Sequence, residues 1–126
     1  MNTPDTPPPL MTLMTGDTKP LDLVTVRAAI RRALQERPIR PPAHEIAELT
    51  RTLRAHLEAM LPEAQYRADQ LEPDTTARKR WEGLIDHVLA DLDFGVGAER
   101  PIRCAARAYL EILARDARFL ADCLDE

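Results

Sequence analysis

The chain contains no serine at all, which removes every serine nucleophile from the possible chemistry. It also has no glycine-rich phosphate loop, no Cys-x-x-Cys pair and no apolar run near the length of a membrane span. No signal-peptide segment is recognisable, so we expect a cytoplasmic protein that makes no membrane contact. These absences leave few catalytic candidates, and we predict a protein that is not an enzyme and binds no cofactor or metal ion.

Cysteine is scarce as well, with only Cys104 and Cys123 in 126 residues. Both fall in one predicted helix, where a rise of about 1.5 Å per residue separates them by roughly 28 Å. A disulfide needs Cα atoms within about 7 Å, so we predict two thiols.

Aromatic residues and glycine are few, whereas leucine, alanine, arginine and glutamate are abundant, a composition that favours helix. Residues 1–20 hold 5 of the 11 prolines and no sustained apolar period, so we predict a disordered tail there and one helical domain over 21–126. Four segments carry apolar residues at helical spacing. The predicted helices run from Asp22 to about Arg37, from Pro42 to Leu71, from Asp74 to Gly95 or Gly97, and from Pro101 nearly to the C-terminus. Because each apolar stripe needs a partner, the sequence predicts an all-α, up-and-down four-helix bundle.

The second helix contains Pro62 within "LRAHLEAMLPEAQ". Its apolar period continues through this proline without a phase jump, which favours one helix kinked at Pro62 over two helices separated by a turn. On the third helix we expect Trp81 to be a core anchor. On the fourth, the predicted apolar stripe includes Tyr109, Ile112 and Leu113.

Histidine offers no strong metal signal. A di-iron bundle needs Glu-x-x-His pairs, and none precedes His44, His56 or His87. His87 falls toward solvent and His44 sits in the first turn of its helix, so neither is expected to be a ligand, while His56 lies at the border of its apolar stripe. A boundary histidine bonded to a neighbour is the simplest interpretation of His56; a ligand-binding imidazole is the alternative.

Asp116 falls inside the apolar stripe of the last helix, where a carboxylate must find a partner. We consider Arg27, Arg67 and His56 as partners. A structural ion pair is favoured over a ligand-binding carboxylate. We name His56 and Asp116 as residues of a possible ligand-binding or buried polar site.

Arginines line the polar face of the last helix at Arg103, Arg107, Arg115 and Arg118, an arrangement that can follow phosphates. Glu111 is spaced to pair with Arg107 and Arg115, and Asp122 with Arg118. With a net charge of −4, these pairings favour a solvated surface over a nucleic-acid site.

Two stretches resemble a family of small helical proteins from Streptomyces and its relatives that are loosely labelled natural-product biosynthesis proteins. The resemblance covers roughly Pro42 to Glu126. It is carried by a histidine, apolar residues and a proline on the second helix and by a tyrosine and Leu-Ala-Arg on the last (His56, Leu57, Met60, Leu61 and Pro62; Tyr109, Leu113, Ala114 and Arg115). It implies a helical protein associated with such a pathway and assigns no catalytic residue.

Together these observations predict a non-catalytic helical interaction or accessory module that binds a protein partner or associates with itself. The alternatives are a nucleic-acid-associated regulator that uses the arginine faces and a ligand-sensing bundle that uses His56 and Asp116.

Overall fold

The computed structural model describes residues 21–36, 39, 41–97 and 103–125, with the backbone alone at 95–97 and 103–105. The described chain is all-α and contains no strand, which confirms the predicted four-helix bundle. The helices are α1 (Leu23–Leu34), α2 (Ala43–Asp69), α3 (Thr76–Gly97) and α4 (Arg103–Leu124). The predicted tail at 1–20 and the predicted helix start at Pro101 lie outside the described residues.

Helix α1 begins where the sequence predicts. The Asp22 side chain accepts a hydrogen bond from the Thr25 amide at 3.2 Å and another from the Thr25 hydroxyl at 2.6 Å, which makes Asp22 the N-cap. The helix ends at Leu34, and Gln35 is already extended, so the predicted end near Arg37 is wrong. The prolines that follow disfavour helical backbone at the residues before them, and the chain leaves the helix about one turn early.

Helix α2 is a single helix of 27 residues that passes through Pro62. The alternative of two helices separated by a turn is therefore wrong. Proline has no amide proton, so the carbonyl oxygen of Glu58 lacks its usual donor four residues on. Both Glu58 and Pro62 are exposed, so water can hydrate that carbonyl and the helix can continue.

Helices α2 and α4 form the centre of the bundle, with α1 and α3 on opposite sides of this pair. Arg54 reaches Tyr109 near one end, and Arg67 donates to the carbonyl oxygen of Leu124 near the other, so α2 and α4 run parallel. Helix α3 follows α2 after a short connection and runs antiparallel to both α2 and α4. The largest fully buried side chains come from these three helices: Leu53, Leu57, Met60, Val88, Leu113 and Leu120.

Two predictions about the core are wrong. Ile112 is 41% exposed, whereas Leu110, Ala114 and Ala121 are buried in its place. Because α4 packs against both α1 and α2, its buried face is broader and is rotated away from Ile112. Trp81 is only half-buried and packs at the edge of the core rather than anchoring it.

Across the described residues, no helix combines the length and the apolar character that a membrane span requires.

Candidate functional site

Three polar side chains meet where α3 faces α4. His87 and Asp91 are four residues apart on α3 and share one face of that helix. His87 Nε2 lies 3.2 Å from Asp91 Oδ2 and 3.4 Å from Asp116 Oδ1, which projects from α4. One ligand-type atom from each residue lies within 4.8 Å of the other two. We call this group the His–Asp–Asp cluster.

The two carboxylates of the cluster are short of hydrogen-bond donors. Among the described residues, Asp116 is the one charged residue that is buried, with 7% of its surface exposed. Asp91 is half-buried. The Oδ2 atoms of both aspartates are buried and accept no hydrogen bond from any described residue. His87 Nε2 and Asp91 Oδ2 lie within hydrogen-bond distance, but the angles between them do not satisfy the geometry of a hydrogen bond. A buried acceptor left without a donor costs about 1–3 kcal/mol, so a proton, a water molecule or a cation bound in the cluster would stabilise the fold.

Burial raises the pKa of Asp116 to about 8. The adjacent Asp91 adds to this shift, through the hydrogen bond that a protonated Asp116 can donate to it and through its negative charge. At neutral pH the Asp116 carboxyl of the protein alone therefore carries a proton most of the time.

Asp91 is positioned by a hydrogen-bonded link across three helices. The Tyr109 hydroxyl donates to the carbonyl oxygen of Asp91 at 2.7 Å and accepts from Arg54 Nη1 at 2.9 Å. The same Arg54 nitrogen donates to the carbonyl oxygen of Leu92 at 2.8 Å. Helices α2 and α4 thus hold the backbone of α3 at the residue that carries one carboxylate of the cluster.

The cluster lies at the side of a cleft of about 610 Å³ between α3 and α4. Its walls combine apolar and aromatic side chains with two arginines: Ala77, Trp81, Leu84, Phe119, Arg80 and Arg115. Among the described residues, neither Arg80 nor Arg115 forms an ion pair. The cleft thus has the size and the mixed lining of a small-molecule site.

The two residues of the candidate site predicted from the sequence lie on different helices, His56 on α2 and Asp116 on α4. His56 is half-buried on α2, and no hydrogen bond or ion pair within the described chain joins it to Asp116. It also does not line the groove between α2 and α3 that contains Pro62. A joint role for His56 and Asp116 therefore stays a prediction.

The predicted partners of Asp116 are also engaged elsewhere. Arg27 pairs with Asp122 at 2.8 Å and with Asp125 at 3.4 Å. Arg67 pairs with Glu63 at 3.4 Å. The observed partner is His87, which the sequence analysis assigned to solvent. Its side chain is 64% exposed, yet its Nε2 reaches both carboxylates.

The arginine face of α4 divides into separate environments. Arg107 pairs with Glu111 at 3.4 Å, as its spacing predicts. Arg115 lines the cleft instead of completing that pair, and Arg118 is exposed while Asp122 pairs with Arg27 on α1. The side chain of Arg103 lies outside the described residues.

Sequence reasoning missed Asp91 and dismissed His87. The available signal was the spacing His-x-x-x-Asp on one helix, which places the two side chains on the same face. That signal is weak by itself, because it becomes informative only when a third ligand approaches from another helix.

Comparison with protein families identifies the family of the chain. Residues 24–126 match DUF6415, a family of unknown function. The chain belongs to this family. No curated protein and no solved structure matches the chain significantly. The resemblance noted from the sequence is therefore confirmed at the level of a family of unknown function.

Proposed function

We propose that this protein is a non-catalytic helical binding module whose cleft between α3 and α4 holds a small organic anion with an apolar or aromatic body. The observation that carries the proposal is the lining of the cleft, in which two arginines that form no ion pair with any described residue stand beside aromatic and aliphatic walls. Small-molecule sites typically occupy about 300–1,000 Å³ and combine apolar walls with a few convergent polar groups. The cleft of about 610 Å³ falls within this range.

The charge of the cleft supports an anionic ligand. Arg80 and Arg115 can pair with a carboxylate, sulfonate or phosphate group, because arginine presents a planar fork of donors to such groups. Burial raises the pKa of Asp116, which lowers the negative charge that this carboxyl presents to an anion at neutral pH. The walls formed by Trp81 and Phe119 provide stacking surface for a ring.

The nucleic-acid alternative has less support. Arg78 donates to Glu82 at 2.9 Å and to the carbonyl oxygen of Leu71 at 3.1 Å, and Arg107 is paired with Glu111. Arginines engaged in this way offer fewer donors to a phosphate backbone. A protein partner and an association with natural-product biosynthesis stay predictions. An aromatic acid bound in the cleft is compatible with both.

The proposal can be tested with two matched probes in a buffer that contains a chelator. The probes are 8-anilinonaphthalene-1-sulfonate and N-phenyl-1-naphthylamine, which share an aromatic body and differ in the sulfonate. We expect saturable 1:1 binding of the sulfonate probe, with quenching of Trp81, the one tryptophan of the chain. We expect the neutral probe to bind several-fold more weakly.

Substitutions on the cleft should change this preference. Arg115→Ala should bring the affinities of the two probes close together, whereas Phe119→Ala should weaken both. Matched controls are Arg118→Ala and Phe94→Ala, which replace exposed residues of the same types away from the cleft lining. Equal effects of the cleft and control substitutions would overturn the proposal. If the cleft binds peptides and does not bind small acids, the cleft is instead a site for a protein partner.

A further inference from the structure

We infer that the His–Asp–Asp cluster is a binding site for one first-row divalent cation, with His87 Nε2 and one oxygen each from Asp91 and Asp116 as the protein ligands. This inference is independent of the organic molecule proposed for the cleft.

The spacing of the three ligand atoms fits a shared metal ion. Zn²⁺ binds imidazole nitrogen and carboxylate oxygen at about 2.0–2.2 Å in tetrahedral geometry, which separates neighbouring ligand atoms by about 3.3 Å. His87 Nε2 lies 3.2 Å from Asp91 Oδ2 and 3.4 Å from Asp116 Oδ1. His87 Nε2 therefore stands from each carboxylate oxygen at about the separation that a shared ion imposes, and all three ligand atoms lie within 4.8 Å of one another.

The buried carboxylate oxygens without a hydrogen-bond donor also favour a bound cation. The Asp116 side chain is 9% exposed, and its Oδ2 atom accepts no hydrogen bond from the described chain; the same holds for Asp91 Oδ2. No lysine or arginine of the described residues forms an ion pair with either carboxylate. If both carboxylates were ionised they would repel strongly in this poorly solvated place, and a divalent cation that displaces the shared proton reverses that interaction.

The surroundings of the cluster favour an ordered site with an open position. The hydrogen bond from Tyr109 to the carbonyl oxygen of Asp91 fixes the backbone of one ligand, as outer-shell partners do in metal sites. Both His87 and Asp116 line the cleft, so an ion bound there faces it. Three protein ligands and one open position are typical of zinc sites that exchange water or a small molecule.

The ligand types narrow the choice of ion. A site with one imidazole nitrogen and two carboxylate oxygens suits zinc, manganese or ferrous iron. It suits calcium and magnesium less well, because these ions prefer oxygen ligands alone. A proton shared between Asp91 and Asp116 is the competing occupant, since it would satisfy the carboxylates without any metal.

The test uses the full chain after removal of metal with a chelator and dialysis. Isothermal titration with ZnCl₂ should give one site per chain, and Zn²⁺ should raise the melting temperature. His87→Gln and Asp116→Asn should each weaken Zn²⁺ at least about tenfold. His44→Gln and Asp86→Asn replace exposed residues of the same types and should leave the affinity unchanged.

Cobalt(II) provides a spectroscopic readout that separates this cluster from the cysteines. Co²⁺ in the cluster should give visible d–d bands without a thiolate charge-transfer band, and the spectrum should be the same in Cys104→Ala/Cys123→Ala. His87 is exposed, so His87→Gln should fold normally even if Asp116→Asn does not.

Three results would overturn the inference. These are the absence of Zn²⁺ binding, an affinity that His87→Gln leaves unchanged, and a thiolate band that disappears in the double cysteine variant. The first of them would assign the cluster to a shared proton. None of them bears on the organic-anion proposal, which is tested in the presence of chelator.

Discussion

The hydroxyl of Tyr109 on α4 donates a 2.7 Å hydrogen bond to the main-chain carbonyl oxygen of Asp91 on α3. Arg54 on α2 donates to that hydroxyl and to the carbonyl oxygen of Leu92. The backbone of α3 is therefore held from two other helices at the position where the Asp91 side chain joins the His–Asp–Asp cluster.

Tyr109→Phe should lower the free energy of unfolding by about 1–2 kcal/mol, because it removes a part-buried hydrogen bond and leaves Arg54 with one acceptor fewer. Chemical denaturation measures the change. Tyr66→Phe is the matched control: Tyr66 is 59% exposed, and its substitution should stay within about 0.5 kcal/mol of the wild type. Equal values for the two variants would mean that the link between α2, α3 and α4 adds no stability.

Asp116→Asn should alter how stability depends on pH in metal-free protein. The folded-state pKa of Asp116, about 8, lies above its ordinary value of 3.8, so between these pH values the folded state binds the additional proton. The stability that this proton contributes is complete below about pH 4 and is lost as pH rises to about 8, with a slope of at most about 1.4 kcal/mol per unit.

Asparagine removes this titration, so the Asp116→Asn variant should show a flatter profile and exceed the wild type in stability near pH 8. Urea denaturation across the pH range measures both. Because His87 and Asp91 face Asp116 from α3, the difference between the two profiles reports on the cluster as a unit. Asp86→Asn, at an exposed site of α3, should keep the wild-type slope. An unchanged slope in Asp116→Asn would show that Asp116 is ionised in the folded protein.

Trp81→Ala should cost about 1–2.5 kcal/mol, less than the 3–5 kcal/mol expected for an aromatic residue in a core, because Trp81 is only half-buried at the wall of the cleft. Leu57→Ala is the comparison: Leu57 is fully buried, and its truncation should cost about 2–5 kcal/mol. Equilibrium denaturation ranks the two variants. A larger loss of unfolding free energy for Trp81→Ala than for Leu57→Ala would mean that Trp81 is a core residue.

Pro62→Ala should preserve the fold and leave the free energy of unfolding equal or higher. Alanine supplies the amide proton that the carbonyl oxygen of Glu58 lacks, and it is the better helix former at an exposed position inside α2. Thermal and chemical unfolding measure the effect. A loss above about 1 kcal/mol would mean that the fixed backbone angle of proline is required at this position.

Local sequence determined the helices of this protein. The N-cap at Asp22 is formed by residues within one turn, and the unbroken apolar period across Pro62 predicts a single α2. The repeated apolar stripes then predict a bundle, because each stripe must be covered. These features depend on neighbours a few residues apart, which is why the sequence could predict them.

Only the tertiary structure decided which polar groups meet. The position of Asp116 in an apolar stripe shows from the sequence that its charge needs a partner. Identifying His87 and Asp91 as its neighbours requires the rotation and axial position of α4 against α3. The same rotation exposes Ile112 and places Trp81 at the wall of the cleft. Helix orientation in a bundle results from the simultaneous packing of all the stripes, so it is a property of the whole core that no local pattern contains.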